Sequence, residues 1–177
     1  GDIRFDLGSV ASGDEATLTI EDTLSAGRDI LVTNTGNGAL LMTLNALAEA
    51  TRDVIITTGN GPDVLQFNAF MRALTGVVRV ETNGGGDTIE VTEAGSLESS
   101  LQSVTIDMGA DDAVQDTLIV TGAVIAATTL AIRNTGNTTT RMNLNTALLR
   151  SGEAGTQIQL GAGADQIDIL DSEIISD

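Results

Sequence analysis

Four aspartates stand at one fixed place in the sequence. Asp63, Asp87, Asp111 and Asp165 each follow a glycine by two residues: Gly61, Gly85, Gly109 and Gly163. Around Asp111 the acids crowd further, with Asp107, Asp112 and Asp116 in the same stretch. Carboxylates brought together in this way repel unless a cation lies between them. Calcium takes six to eight oxygen ligands, and glycine-rich turns expose backbone carbonyls that can complete such a shell. The candidate metal ligands are therefore Asp63, Asp87, Asp107, Asp111, Asp112, Asp116 and Asp165. Gly59, Gly61, Gly85, Gly109, Gly161 and Gly163 form the turn backbone, and Ca²⁺ is the expected cofactor. The competing reading is a set of solvated turn residues, because Asp often stabilises turns through its own backbone.

Each acid-bearing turn lies between extended apolar segments. Val54/Ile56 precede the turn at Gly61 and Leu65/Phe67 follow it; Val78/Val80 and Ile89/Val91 flank Gly85 in the same way. This two-residue alternation is the period of a β-strand. One glycine from each turn (Gly8, Gly36, Gly61, Gly85, Gly109, Gly136, Gly163) marks steps of 24 to 28 residues. A longer repeat is superimposed. Asp29-Ile30-Leu31-Val32-Thr33-Asn34-Thr35-Gly36-Asn37 recurs 100 residues later as Thr129-Leu130-Ala131-Ile132-Arg133-Asn134-Thr135-Gly136-Asn137. The organisation is read as a four-coil module over 1–101 and a second, incomplete module over 102–177, continuous with the first.

A unit of this size cannot bury its apolar face alone, so it must stack on its neighbours. The expected fold is all-β, a parallel β-solenoid (β-helix or β-roll-like) of about seven ~25-residue coils. The rival is an antiparallel sandwich, which also strings short strands between turns. The segments after each second strand, such as Asn45-Ala46-Leu47-Ala48 and Asn68-Ala69-Phe70-Met71, look less β-like and are expected to form corners, with room for single helical turns. Arg52, Arg72 and Arg150 fall at these corners, where they would neutralise acids.

Composition narrows the function. The chain of 177 residues carries a net charge of −17, and all eight of its basic residues are Arg. Nucleic-acid phosphates would be repelled. No apolar run approaches the ~18 residues that span a membrane, so no membrane insertion is expected. His, Cys, Lys, Trp and Tyr are absent. The usual catalytic bases and nucleophiles are therefore missing, and so are the best aromatic platforms for sugar rings. No catalytic residue is assigned and no enzyme activity is expected. The chain starts at Gly1 without a signal peptide, as a processed product or a segment cut from something longer would.

Three turns resemble a known family. Gly59-Asn60-Gly61-Pro62-Asp63-Val64-Leu65, Asn83-Gly84-Gly85-Gly86-Asp87-Thr88-Ile89 and Gly161-Ala162-Gly163-Ala164-Asp165-Gln166-Ile167 are similar to the RTX nonapeptide G-G-x-G-x-D-x-U-x. Gly61, Gly85 and Gly163 take its second glycine position. Asp63, Asp87 and Asp165 take the ligand position, and Leu65, Ile89 and Ile167 the inward apolar one. Thr58, Thr82 and Leu160 stand where the family has its first glycine. The resemblance implies a secreted, calcium-binding repeat region of a bacterial surface-layer or adhesin protein. The expected role is a noncatalytic, calcium-stabilised structural segment, extracellular or on the cell surface. Its partners would be calcium ions and either further copies or neighbouring repeats of the same long chain. A polysaccharide-binding accessory module is the alternative.

Overall fold

The computed structural model describes residues 1–110, 114–137 and 139–176. Three strands make each coil. The first coil holds β1 (Ile3–Asp6), β2 (Glu15–Ile20) and β3 (Leu24–Ala26), and the second β4 (Ile30–Thr33), β5 (Ala39–Leu44) and β6 (Ala48–Ala50). The third holds β7 (Val54–Thr57), β8 (Val64–Phe67) and β9 (Phe70–Ala73), and the fourth β10 (Val78–Glu81), β11 (Thr88–Val91) and β12 (Ser96–Ser99). In the fifth are β13 (Val104–Asp107), β14 (Asp116–Val120) and β15 (Ala123–Ala126), and in the sixth β16 (Thr129–Arg133), β17 (Thr140–Asn145) and β18 (Leu148–Ser151). The last has β19 (Gly155–Gln159), β20 (Gln166–Leu170) and β21 (Glu173–Ser176).

Every strand pairs in parallel with the strand of the same position in the adjacent coil. The result is three seven-stranded sheets, ordered β1-β4-β7-β10-β13-β16-β19, β2-β5-β8-β11-β14-β17-β20 and β21-β18-β15-β12-β9-β6-β3. The fold is a parallel β-solenoid. The sheets cross from residue 101 to 102 without a break, since β10 pairs with β13 and β12 with β15.

Parallel pairing in register turns the alternation of each strand into ladders running along the axis. Ile30, Val54, Val78, Val104 and Leu130 form one inward ladder of the first sheet. Met42, Leu65, Ile89, Leu118 and Met142 form one in the second. All ten side chains are fully buried.

The third sheet corrects the expectation of helical corners. Residues 70–73, 96–99 and 123–126 are strands, and no helix occurs among the described residues. Their inward ladder ends in the small residues Ala50, Ala73, Ser99 and Ala126, all buried. Small side chains fill a narrow vertex. Alanine also has the highest helix propensity, and sheet pairing overrides that local preference here.

Candidate functional site

The turn between the first and second sheets is where the acids gather. The strand alternation continues into it from both sides. Thr58 follows Val54 and Ile56 at inward parity, and Asp63 precedes Leu65 and Phe67 at the same parity. Both residues are buried, as are Thr82 and Asp87 one coil on. Asp116 occupies the matching place in the fifth coil and is also buried. In the second and sixth coils the two inward places hold Asn34 with Leu40 and Asn134 with Thr140, all buried. A polar seam thus runs inside the solenoid along this one corner.

The carboxylates of the seam clasp backbone. Asp63 Oδ1 accepts the Leu40 N–H at 2.6 Å. Asp87 Oδ1 accepts the Asp63 N–H, and Asp116 Oδ1 the Asp87 N–H, both at 2.9 Å. Asp165 Oδ1 repeats the pattern on the Thr140 N–H at 2.9 Å. In each case the acid reaches one coil back toward the N-terminus.

The second oxygens differ. Asp116 Oδ2 accepts Asn134 Nδ2 at 2.7 Å. Asp63 Oδ2 and Asp87 Oδ2 are buried with no hydrogen-bond partner, as is the Thr82 hydroxyl. Burial without a cation disfavours the charged form of a carboxyl. It pushes Asp63 up to about 6, against the Thr58 hydroxyl and the Leu40 N–H. Burial also pushes Asp87 up to about 8. The Asp63 N–H and the Thr82 hydroxyl oppose that shift, while the neighbouring Asp63 and Asp116 charges add to it. Burial at this place therefore favours the neutral form of Asp87.

Asp107 stands apart from this seam. It lies half-buried on the outward side of β13 and accepts the Gly109 N–H at 3.0 Å, closing its own turn. Asp111 and Asp112 lie outside the described residues. The structure therefore brings Asp63, Asp87 and Asp116 into consecutive coils and sets Asp165 two coils beyond Asp116. Among the described residues no three acidic side chains form a group able to hold a metal ion. The unpartnered seam oxygens are those of Asp63, Asp87 and Thr82.

The turn glycines are explained by close approach of coils. A Cβ on Gly59 would run into the Gly36 carbonyl oxygen, and one on Gly161 into that of Gly136. Gly61 and Gly85 stack likewise, on the carbonyls of Gly38 and Gly61. Gly109 combines a φ of +82° with a backbone contact to Asn83. Gly163 sits half-buried in the last turn.

No family model, curated protein or solved structure matches this chain. Its sites are defined by their own geometry.

The corner between the third and first sheets handles its acids differently. Asp29 is held by Arg52, with Oδ1 to Nε at 2.8 Å and Oδ2 to NH2 at 2.5 Å. The hydrogen bond from Arg52 leads the causes that lower the Asp29 carboxyl below its ordinary value, with Arg28 adding to it. Arg72 plays the same part on the third sheet, 2.9 Å from Glu98 and 3.7 Å from Glu49. Asp29, Glu49 and Glu98 thus meet arginine, whereas Asp63, Asp87 and Asp116 of the inner seam meet backbone N–H groups.

Seam partners Thr58, Thr82, Asn34, Asn134 and Thr140 were not singled out from the sequence as a set. Strand parity carried to the residue beyond each strand end would have found them.

Proposed function

We propose that this chain is a noncatalytic structural segment, a stiff rod within a repetitive extracellular protein of a bacterial surface layer, adhesin or filament. The observation that carries the reading is the stacking of seven coils into three continuous parallel sheets in matched register. Such an array holds its shape by contacts repeated along one axis, which is what a spacer or load-bearing stalk needs. The high negative charge and the RTX-like spelling of the turns support a secreted setting. Calcium stabilisation of the turn carboxylates belongs to the same proposal: Asp63 and Asp87 each keep a buried oxygen without a hydrogen-bond partner, and melting with and without Ca²⁺ tests it.

Single-molecule stretching between the termini tests the mechanical role. A load-bearing solenoid gives repeated unfolding steps, each releasing one coil, roughly 85 Å for ~25 residues at ~3.4 Å each. Extension at negligible force without steps would exclude it. Antibody labelling of intact source cells tests the location, and label restricted to permeabilised cells would rule out a surface role.

A further inference from the structure

We propose that the outer face of the same turns is a binding groove for a neutral, hydroxyl-rich linear polymer such as an uncharged polysaccharide. This role is separate from the structural one and does not rest on it. The groove has a volume of about 680 Å³ and is lined by Ser12, Asn37, Asn60, Asn83, the Gly84–Gly85 backbone, Gly109 and Ala110. These residues come from five successive coils, so the groove runs along the rod axis for roughly 19 Å at ~4.8 Å per coil.

Three observations define the ligand. First, among the described residues no charged side chain lines the groove, although the chain carries 25 acidic residues. An anionic polymer would meet the field of the whole molecule with no cation to receive it. Second, the lining is amide, hydroxyl and bare backbone. Asn60 Nδ2 lies 3.4 Å from Asn37 Oδ1, and both side chains remain exposed. Asn83 adopts φ 58° and hydrogen-bonds the Thr58 carbonyl, which fixes its place at the groove wall. Amides offer donors and acceptors together, the pattern that matches hydroxyl groups. Third, Gly84 has no packing reason to be glycine. A Cβ there would meet only the Asn60 side chain, at 3.5 Å, and its φ lies outside the left-handed region. Its neighbours Gly85 and Gly86 would collide with Gly61 and Val114 respectively. What glycine at 84 does is keep the groove floor open.

The test is electrophoresis of the whole chain through native gels containing dextran, laminarin or agarose, with alginate as the anionic control. Retardation by at least one neutral polymer and not by alginate is expected. Gly84→Val should fill the floor without disturbing the fold, and Asn60→Ala should remove one amide from the wall. Each should weaken apparent affinity about tenfold at unchanged melting temperature, Asn60→Ala by the loss of one or two hydrogen bonds and Gly84→Val by blocking the floor. The proposal is overturned if no neutral polymer retards the protein, if alginate alone does, or if folded Gly84→Val binds as the parent does. Should Gly84→Val not fold, Asn60→Ala decides alone, and undiminished binding then overturns the proposal.

Discussion

Asp87 Oδ1 holds the backbone N–H of Asp63 at 2.9 Å across one coil step, while its other carboxyl oxygen is buried without a partner. The bond itself is favourable, but the ionised form of the acid is not. With a folded value of about 8 against an ordinary 3.8, Asp87 binds a proton more tightly in the native state than in the unfolded chain. Its contribution is complete below about pH 4 and is lost as pH rises through about 8. Asp63 behaves alike, with its loss complete as pH rises through about 6. The melting temperature should therefore fall between pH 5 and pH 9. Asp29 acts in the opposite sense, losing its contribution only as pH drops through its lowered value. Asp87→Asn keeps the shape and removes the titration. At pH 9 it should melt at least about 3 °C higher than the parent, and the slope should flatten. A parent melting curve that does not move between pH 5 and pH 9 would contradict the neutral seam.

Calcium addition provides a second check. Melting in millimolar Ca²⁺ and in chelator should give the same midpoint if the seam relies on protons and backbone clasps. A midpoint raised by more than about 5 °C, well over 1 kcal/mol for a chain of this size, would assign the turn carboxylates as Ca²⁺ ligands.

Glycine substitutions separate two kinds of turn position. Gly59→Ala drives a methyl group into the Gly36 carbonyl and must push the coils apart. A loss of about 2–4 kcal/mol is expected in denaturant unfolding. Gly84→Ala meets no backbone and should stay within about 0.5 kcal/mol of the parent. Equal effects at the two positions would show that coil contact is not what selects glycine here.

Arg72 bridges Glu49 and Glu98 and lies 5.8 Å from the Phe70 ring centre. Its side chain is about one-third exposed, so solvent screens these ion pairs. Arg72→Met should cost no more than about 1 kcal/mol, and the cost should shrink in high salt. A salt-independent loss several times larger would assign Arg72 a packing role instead.

The coil period and the strand alternation around each turn were legible in the sequence. Val54/Ile56 with Leu65/Phe67 already placed four inward residues of one coil. The seam was legible in principle. Asp63 has the same parity as Leu65, and Thr58 the same parity as Ile56, which puts both inside. Asp looks like a turn residue by type, and that local preference masked its parity. The third strands were obscured for a different reason. Ala50, Ala73, Ser99 and Ala126 stack as one small inward ladder, and that stacking exists only once the coils have closed. Parity local to each strand also separates Asp107 from Asp116: Asp107 is out of step with Val104 and Ile106, and Asp116 is in step with Leu118 and Val120.

The clasps of the inner seam also have a direction. Leu40 is held by Asp63, Asp63 by Asp87 and Asp87 by Asp116, so the backbone of the second, third and fourth coils is gripped by an acid one coil later in the chain. During synthesis or export from the N-terminal end, a coil would be left with an open donor until its successor arrives. The successor then supplies both the covering sheet edges and the carboxyl that latches the coil beneath. In these coils the latch of one turn is therefore carried by the turn that follows it.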